Sequence, residues 1–472
     1  MRTRRFIRLL PLAAALAVVY PSTVAPLQAA NTLVPEGDLR YAPSRHPDRV
    51  ILLPGRDAAR EAAVAWRTAA GLESPVLQIT EAVDSPDLAD RARTRAATSR
   101  PLSTPNGDGV HHQVRLDGLE PDTLYAYRVS GLGTWSEWHQ FRTAADEPRA
   151  FTFLYFGDTQ NSVRSLASRV MREAWAHAPR PALLIHAGDL VNGRAGPKAD
   201  DDEWGEWFDA GGHMFAAHFA LPAAGNHEHL KQDEDTPDER YVLAPHWALQ
   251  FPVPDNGPAG LRHTVFYSDY QGVRFIVLDS TSALAEGTAE AQARWLAPVL
   301  ADNPNPWTVV IHHHPMYSPR PGRDNPPLRE HWLPLFNQHR VDLVLQGHDH
   351  VYGRGRNLSE GGNLRDGDDG PVYVVSVAGP KQYRLSERTA SEMAPAAEDT
   401  QLFQVVHIDG DVLRFEALTA TGRRHDAFEL RRQADGSNRL VEVEDGRIQP
   451  RRCPNPTSPG GRADRCWDGV EW

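Results

Sequence analysis

Five apolar runs in this chain each end on a side chain able to hold a metal ion or move a proton. They deliver Asp158 in "FTFLYFGD", Asp189 in "ALLIHAGD", Asn226 and His227 in "FALPAAGNHE", His312 to His314 in "WTVVIHHHP", and His348 and His350 in "VDLVLQGHDH". Singly each is unremarkable, because Gly-Asp after a strand is a common turn and a lone histidine is more often a core residue. Together they make a set of carboxylate, amide and imidazole donors large enough for two metal ions, and such donors suit Zn, Mn or Fe. The glycines directly before Asp158, Asp189, Asn226 and His348 are expected to let the backbone turn sharply there.

The elements that must position these residues are legible in the same runs. β-Branched and aromatic stretches that finish in polar clusters read as buried strands with functional residues at their C-terminal ends, and helical stretches such as 162–178 and 288–301 alternate with them. An α/β catalytic domain over 149–425 follows. Upstream, over 31–145, short alternating segments such as "EAAVAWRT", "VLQIT" and "LYAYRVSG" are divided by turn residues, which predicts a β-sandwich. Residues 426–472 are polar and rich in Pro and Gly, and are expected to form an irregular tail.

Residues 1–30 combine Arg2, Arg4, Arg5 and Arg8 with the apolar run Leu9 to Tyr20 and a close on Ala29-Ala30, the layout of an export signal too short to span a bilayer. "TRRFIR" half resembles a twin-arginine signal. No later segment reads as a stable membrane span, so a periplasmic or extracellular location is expected. The formal net charge is −12, and the loss of four leader arginines makes it −16, a balance that disfavours nucleic acid as a partner. Cys453 and Cys466, the only two cysteines, are expected to close a short loop as a disulfide.

The ordered set GD, GD, GNHE, VxxHxP and GHDH, from Asp158 to His350, resembles the calcineurin-like metallophosphoesterases, and their purple acid phosphatase branch in particular. "LEPDTLYAYRV" resembles the turn and strand of fibronectin type III domains, in which the tyrosine after the turn anchors a corner; a sandwich before the catalytic domain is also similar to that branch. The resemblance implies a four-layer α+β core, two mixed sheets flanked by helices, behind an N-terminal β-sandwich. It also implies two divalent or mixed-valence ions of Fe, Zn or Mn. Asp158, Asp189 and His350 would hold one, and Asp189, Asn226, His313 and His348 the other, with Asp189 bridging. The VxxHxP spacing of Val310, His313 and Pro315 selects the middle histidine; His312 is then expected to pack on the opposite face and His314 to lie near the mouth. His227 resembles the family residue that contacts phosphate and protonates the leaving oxygen, work that suits an imidazole. Glu228 is expected to be structural or to partner a histidine, His186 to be core, and Asp279 matches no ligand position.

Two departures from the family stand out. The tyrosine that purple acid phosphatases carry three residues after the second aspartate is Asn192, and the histidine that other members carry two residues after the first is Gln160. Either side chain is a candidate neutral oxygen donor to the first metal. The expected activity is metal-dependent hydrolysis of a small phosphate ester, acid phosphatase-like, with a phosphodiesterase as the alternative. A binding or adhesion protein on a degenerate phosphatase core is the rival from another class. It is opposed by the retention of all six ligand candidates, since buried unpaired carboxylates are costly without a cation. Arg320 and Arg323 in "SPRPGRDN" are expected on a rim loop, either solvated or holding a second anionic group, and "DDEWGEWFDAGGHMF" either caps the site or packs as an amphipathic helix. Nothing in the pattern indicates an oligomeric state.

Overall fold

Alternation of apolar and polar residues in the first hundred residues after the leader builds eight antiparallel strands in two four-stranded sheets. Their inward positions, among them Ile51, Trp66, Leu77, Ile79, Val114, Tyr127 and Phe141, form the sandwich core. Tyr125 anchors the expected corner: its hydroxyl accepts the Glu120 N–H at 2.9 Å. The computed structural model describes residues 31–453 apart from 195, 234–235, 237, 357–369, 387–392, 394 and 452. The leader and Cys466 lie outside the described residues; Cys453 is not free.

The remainder is two seven-stranded mixed sheets. In the first, Phe219–Pro222, Leu183–His186 and Phe151–Phe156 run parallel, and Leu402–Asp409 then pairs antiparallel to Phe151–Phe156 and leads to three further antiparallel strands. In the second, Val273–Val277, Trp307–Ile311, Leu343–Gln346 and Val372–Val375 are parallel neighbours. Nearly continuous burial along the parallel strands is what a sheet covered on both faces requires. One cover is the other sheet, as where Phe153 meets Phe275 edge to face at 5.4 Å. For the second sheet the other cover is helical: Leu296 and Leu300 of Ala289–Ala301, with Trp332 and Phe336, pack against Ile276, Val310 and Val344. The result is the four-layer core expected from the motifs.

One expectation needs correction. The tail does not begin at 426, because Arg424–Arg432 and Asn438–Glu442 pair antiparallel and extend the first sheet. The polar composition of Asn438–Glu442 is that of a sheet edge, with none of its residues fully buried. The segment around Trp204 and Trp207 follows the second of its two expected readings: it is the packed helix Pro197–Gly211, with both tryptophans buried together with Asp201, Asp202, Glu203 and Glu206.

Asp342, at the start of the Leu343–Gln346 strand, ties this added edge to the second sheet. Its carboxylate accepts Thr308 N–H at 2.8 Å and Asn438 Nδ2–H at 2.9 Å. Burial pushes the carboxyl up to about 6. A raised folded-state pKa means a contribution that is complete below the unfolded pKa near 3.8 and is lost as pH rises through about 6. Asp342→Asn is therefore expected to gain stability relative to the parent between pH 4 and pH 7.5, by about 2 kcal/mol. Denaturant unfolding at the two pH values measures it; an equal difference at both would refute the assignment.

Candidate metal centre

The parallel strands of both sheets end on the same side, and the loops that follow them meet at the seam. Tyr155 joins the sheets there, its hydroxyl donating to the Gln346 carbonyl and accepting the Gln346 N–H at 3.1 Å. Asp158 forms an isolated bridge with Val377. The site carboxylates also stitch the motifs together: Asp158 Oδ1 accepts the His348 N–H at 2.6 Å, and Asp189 Oδ1 accepts the His227 N–H at 2.9 Å.

The motif glycines act differently from expectation. Of the four, only Gly188 has positive φ, at 90°. Gly157, Gly225 and Gly347 are required because a Cβ would fall 1.9 Å from the Ser376 carbonyl oxygen, 2.2 Å from Asp189 Oδ1 and 2.2 Å from Asp158 Oδ1 respectively. Left-handed turns fall one residue after the glycine on Asp189 (φ 50°) and His348 (φ 71°), and again on His350 (φ 48°). Left-handed backbone at such residues is unfavourable and is a common mark of functional sites.

Two clusters result, Asp158, Asp189 and His350 in one and Asp189, His313 and His348 in the other; within each, the donor atoms lie within 4.8 Å of one another. Asp189 is common to both. Asn226 joins the second, its Oδ1 3.2 Å from His313 Nε2. The tautomers follow from the outer partners. His350 Nδ1 donates to the Lys381 carbonyl and His313 Nδ1 to the Ala187 carbonyl, both at 2.8 Å, which leaves each Nε2 lone pair facing the cluster. His350 Nε2 stands 3.0 Å from Asp158 Oδ2, and His313 Nε2 stands 3.1 Å from Asp189 Oδ2 and from His348 Nδ1. Lone pairs directed at one another in a dry site need a positive charge between them. Burial opposes a charge on His313, yet the carboxylates of Asp189 and Asp158 outweigh it and hold the ring up at about 9. The same carboxylates that raise this pKa would favour a metal cation there, and the donor set fits a pair of borderline divalent ions.

Gln160 lies in the first cluster, with Nε2 2.9 Å from Asp189 Oδ2 and 3.0 Å from His350 Nε2. Its Oε1 is buried without a donor, and turning the amide over aims that oxygen at the same place. The Asn192 side chain is placed otherwise, with Oδ1 3.5 Å from Asn161 Nδ2; what Asn192 gives the site is its main-chain carbonyl, which accepts from His227 Nδ1. His227 Nε2 thus faces inward, 3.9 Å from Asp189 Oδ2. Burial pushes the His227 ring down to about 4, against the pull of Asp189.

Several residues around the centre have roles that spacing alone did not reveal. Glu228 is structural: its carboxylate accepts the N–H groups of Asp189, Leu190 and Gly225 at 2.9, 2.8 and 2.7 Å, locking the second and third motifs together. Asp279 pairs with His229 Nε2 at 3.4 Å and caps the helix Ser280–Ala285 through Ser282 N–H at 2.9 Å. His312 lies on the far face as expected, against Trp332, and His186 is core between Phe156 and Trp207. His314 is half-buried at the mouth, bonded to Ser280 Oγ at 3.0 Å with its ring 4.1 Å from that of His348. Asp349, the unremarked middle of GHDH, binds Arg323 at 2.7 Å and Ser318 Oγ at 2.5 Å, so Arg323 is not a solvated rim residue.

Fold and centre together define a calcineurin-like metallophosphoesterase. Residues 47–143 match the purple acid phosphatase N-terminal domain and residues 151–352 the calcineurin-like phosphoesterase family, and the chain belongs to that family. Among similar proteins, an uncharacterised Mycobacterium tuberculosis protein is 29% identical over 338 residues, covering 64% of this chain and 61% of its own. The Fe(3+)-Zn(2+) purple acid phosphatase 12 of Arabidopsis thaliana is 25% identical over 349 residues, covering 70% of each chain. The structure of a purple acid phosphatase from yellow lupin (Lupinus luteus) seeds superposes with TM-score 0.69 at 18% identity, over 83% of this chain and 75% of that one. The match thus spans about three-fifths of the mycobacterial relative.

Proposed function

We propose that this chain is a phosphatase that hydrolyses a small phosphate ester at a centre of two divalent metal ions. The observation that carries the reading is the shared carboxylate: Asp189 belongs to both donor clusters, as a bridge between neighbouring cations would. Asp158, His350 and Gln160 would hold one ion and Asn226, His313 and His348 the other. Bound there, the ions would supply Lewis acidity toward phosphoryl oxygens and lower the pKa of a water that attacks phosphorus.

The chain's own part is orientation and proton transfer. His227 is held by the Asn192 carbonyl at Nδ1, so its Nε2 is the atom that can meet a phosphoryl oxygen or give a proton to the leaving oxygen. Arg194 and Lys381 lie close enough to disfavour its charged form, and an arriving phosphate dianion offsets them and lifts its pKa. No side-chain nucleophile is needed. The leader-like first thirty residues support a place of action outside the cytoplasm, and among the described residues no helix is long and apolar enough to cross a membrane.

The test is chromogenic monoester hydrolysis by metal-stripped protein re-fed Mn, Zn or Fe. Activity is expected to return with metal. His227→Ala is expected to keep the metal content and lower kcat by about 10²-fold or more. Two bound ions per chain with no hydrolysis of any phosphate ester would sink the reading.

A further inference from the structure

A group outside the donor clusters lies against one of them. Tyr383, only 8% exposed, follows the seam loop; its N–H donates to the His350 carbonyl at 3.1 Å, and its ring lies 4.7 Å from the His350 imidazole. Three cationic heads gather on that one ring: Arg320 at 4.1 Å, Arg323 at 5.4 Å and Lys381 at 5.4 Å from its centre. Arg323 is also braced by Asp349, and Arg194 donates to the Asn226 carbonyl at 2.7 Å. In a chain of net charge −12 this concentration of positive charge beside the centre needs a reason. A lysine stacked on an aromatic face keeps its stem packed and its ammonium available.

We propose that Lys381, seated on Tyr383 with Arg320 and Arg323, binds a second phosphate of the substrate, so that the preferred substrates are bisphosphates. The inference rests on the phosphoesterase reading and names the substrate class for that same centre. Its geometry is economical: the Lys381 main-chain carbonyl orients His350, while its side chain reaches the ring beside it. One residue thus links the first donor cluster to the second anion. Stacked on the ring that lies against His350, the Lys381 ammonium is seated next to the first donor cluster. A second phosphate carried by the leaving group meets it there.

Calorimetric titration of metal-loaded protein with butane-1,4-bisphosphonate and with butylphosphonate tests this without turnover. One further charge-assisted contact predicts that the parent prefers the bisphosphonate by about tenfold. Lys381→Met keeps the carbonyl that holds His350, and a melt with a metal count confirms that the centre is intact. The preference is expected to fall to near unity in Lys381→Met, to return in Lys381→Arg, and to weaken with salt in the parent. A parent without preference, or an unchanged preference in Lys381→Met, overturns the subsite. If neither phosphonate binds the metal-loaded protein, the phosphoesterase reading falls and the subsite with it.

Discussion

Asp189→Ala is expected to abolish hydrolysis and to strip metal from the centre. Its carboxylate is the only group common to both clusters, and it also accepts the His227 N–H. Removing it would leave two cations without the negative charge that offsets their repulsion, and takes from His313 one of the two carboxylates that raise its pKa. Loss of one oxyanion-type donor costs about 10² to 10³ in rate, and loss of the bridge should exceed this, lowering kcat/KM by more than about 10³-fold. Bound metal is expected to fall from two ions to one or none per chain. Asp189→Asn separates charge from shape: it retains an oxygen and tolerates the φ of 50°, so it should fold as the parent does and still fail catalytically. Metal counting and steady-state kinetics on the same preparations decide the matter; an alanine variant with two tightly bound ions and parental kcat would refute the bridging role.

The second large effect lies far from the centre. Asp201, 1% exposed, joins the helix Pro197–Gly211 to the sandwich through Arg49 Nη1 at 2.9 Å, Arg67 Nη1 at 3.5 Å and Asn106 Nδ2 at 2.9 Å, with His246 Nε2 at 3.3 Å. Burial opposes its charge, and the two guanidiniums overcome this and hold the carboxyl well below the usual range. The contribution is therefore complete above the unfolded carboxyl pKa and is lost as pH falls through the depressed one. Asp201→Ala strands a buried Arg49 and is expected to cost about 3–5 kcal/mol, a fall in Tm of about 10 °C. Asp201→Leu combined with Arg49→Met removes both charges and should recover most of the loss, which a purely steric account does not predict. A loss under 1 kcal/mol in the alanine variant would show that the clamp carries little.

The contrast between these two residues shows what the one-dimensional pattern holds. Asp189 is legible because motifs report local events: an apolar run ends, a glycine gives room, and a donor follows. Asp201 reads as one more acid on a solvated helix face, since nothing local says that Arg49 and Arg67 will arrive from another domain. Glu228 reads as structural but its partners are not legible, and Asp279 is opaque, because those partners are main-chain amides and His229 brought near by tertiary packing. The glycine expectation failed instructively. Composition marks where a side chain is forbidden, and only the packed structure says whether the obstacle is the local φ or an atom of another strand. The last strand was missed because half of an edge is polar, and weak alternation in 438–442 resembles coil until a neighbour is placed beside it.

The strand order of the first sheet bears on how the protein is made. Phe151–Phe156, which delivers Asp158, has Leu402–Asp409 as one of its two neighbours, and the Asp158 carbonyl accepts N–H groups from Ala378 and Gly379. The ribosome therefore releases both carboxylates long before it releases the backbone that fixes the first of them. Until the C-terminal strands emerge, Phe151–Phe156 is an open edge with apolar side chains, the kind of surface that invites misassociation. Alignment of the donor set therefore waits for the C-terminal strands, and a nascent chain halted before Leu402 carries the motif residues without the sheet that aligns them.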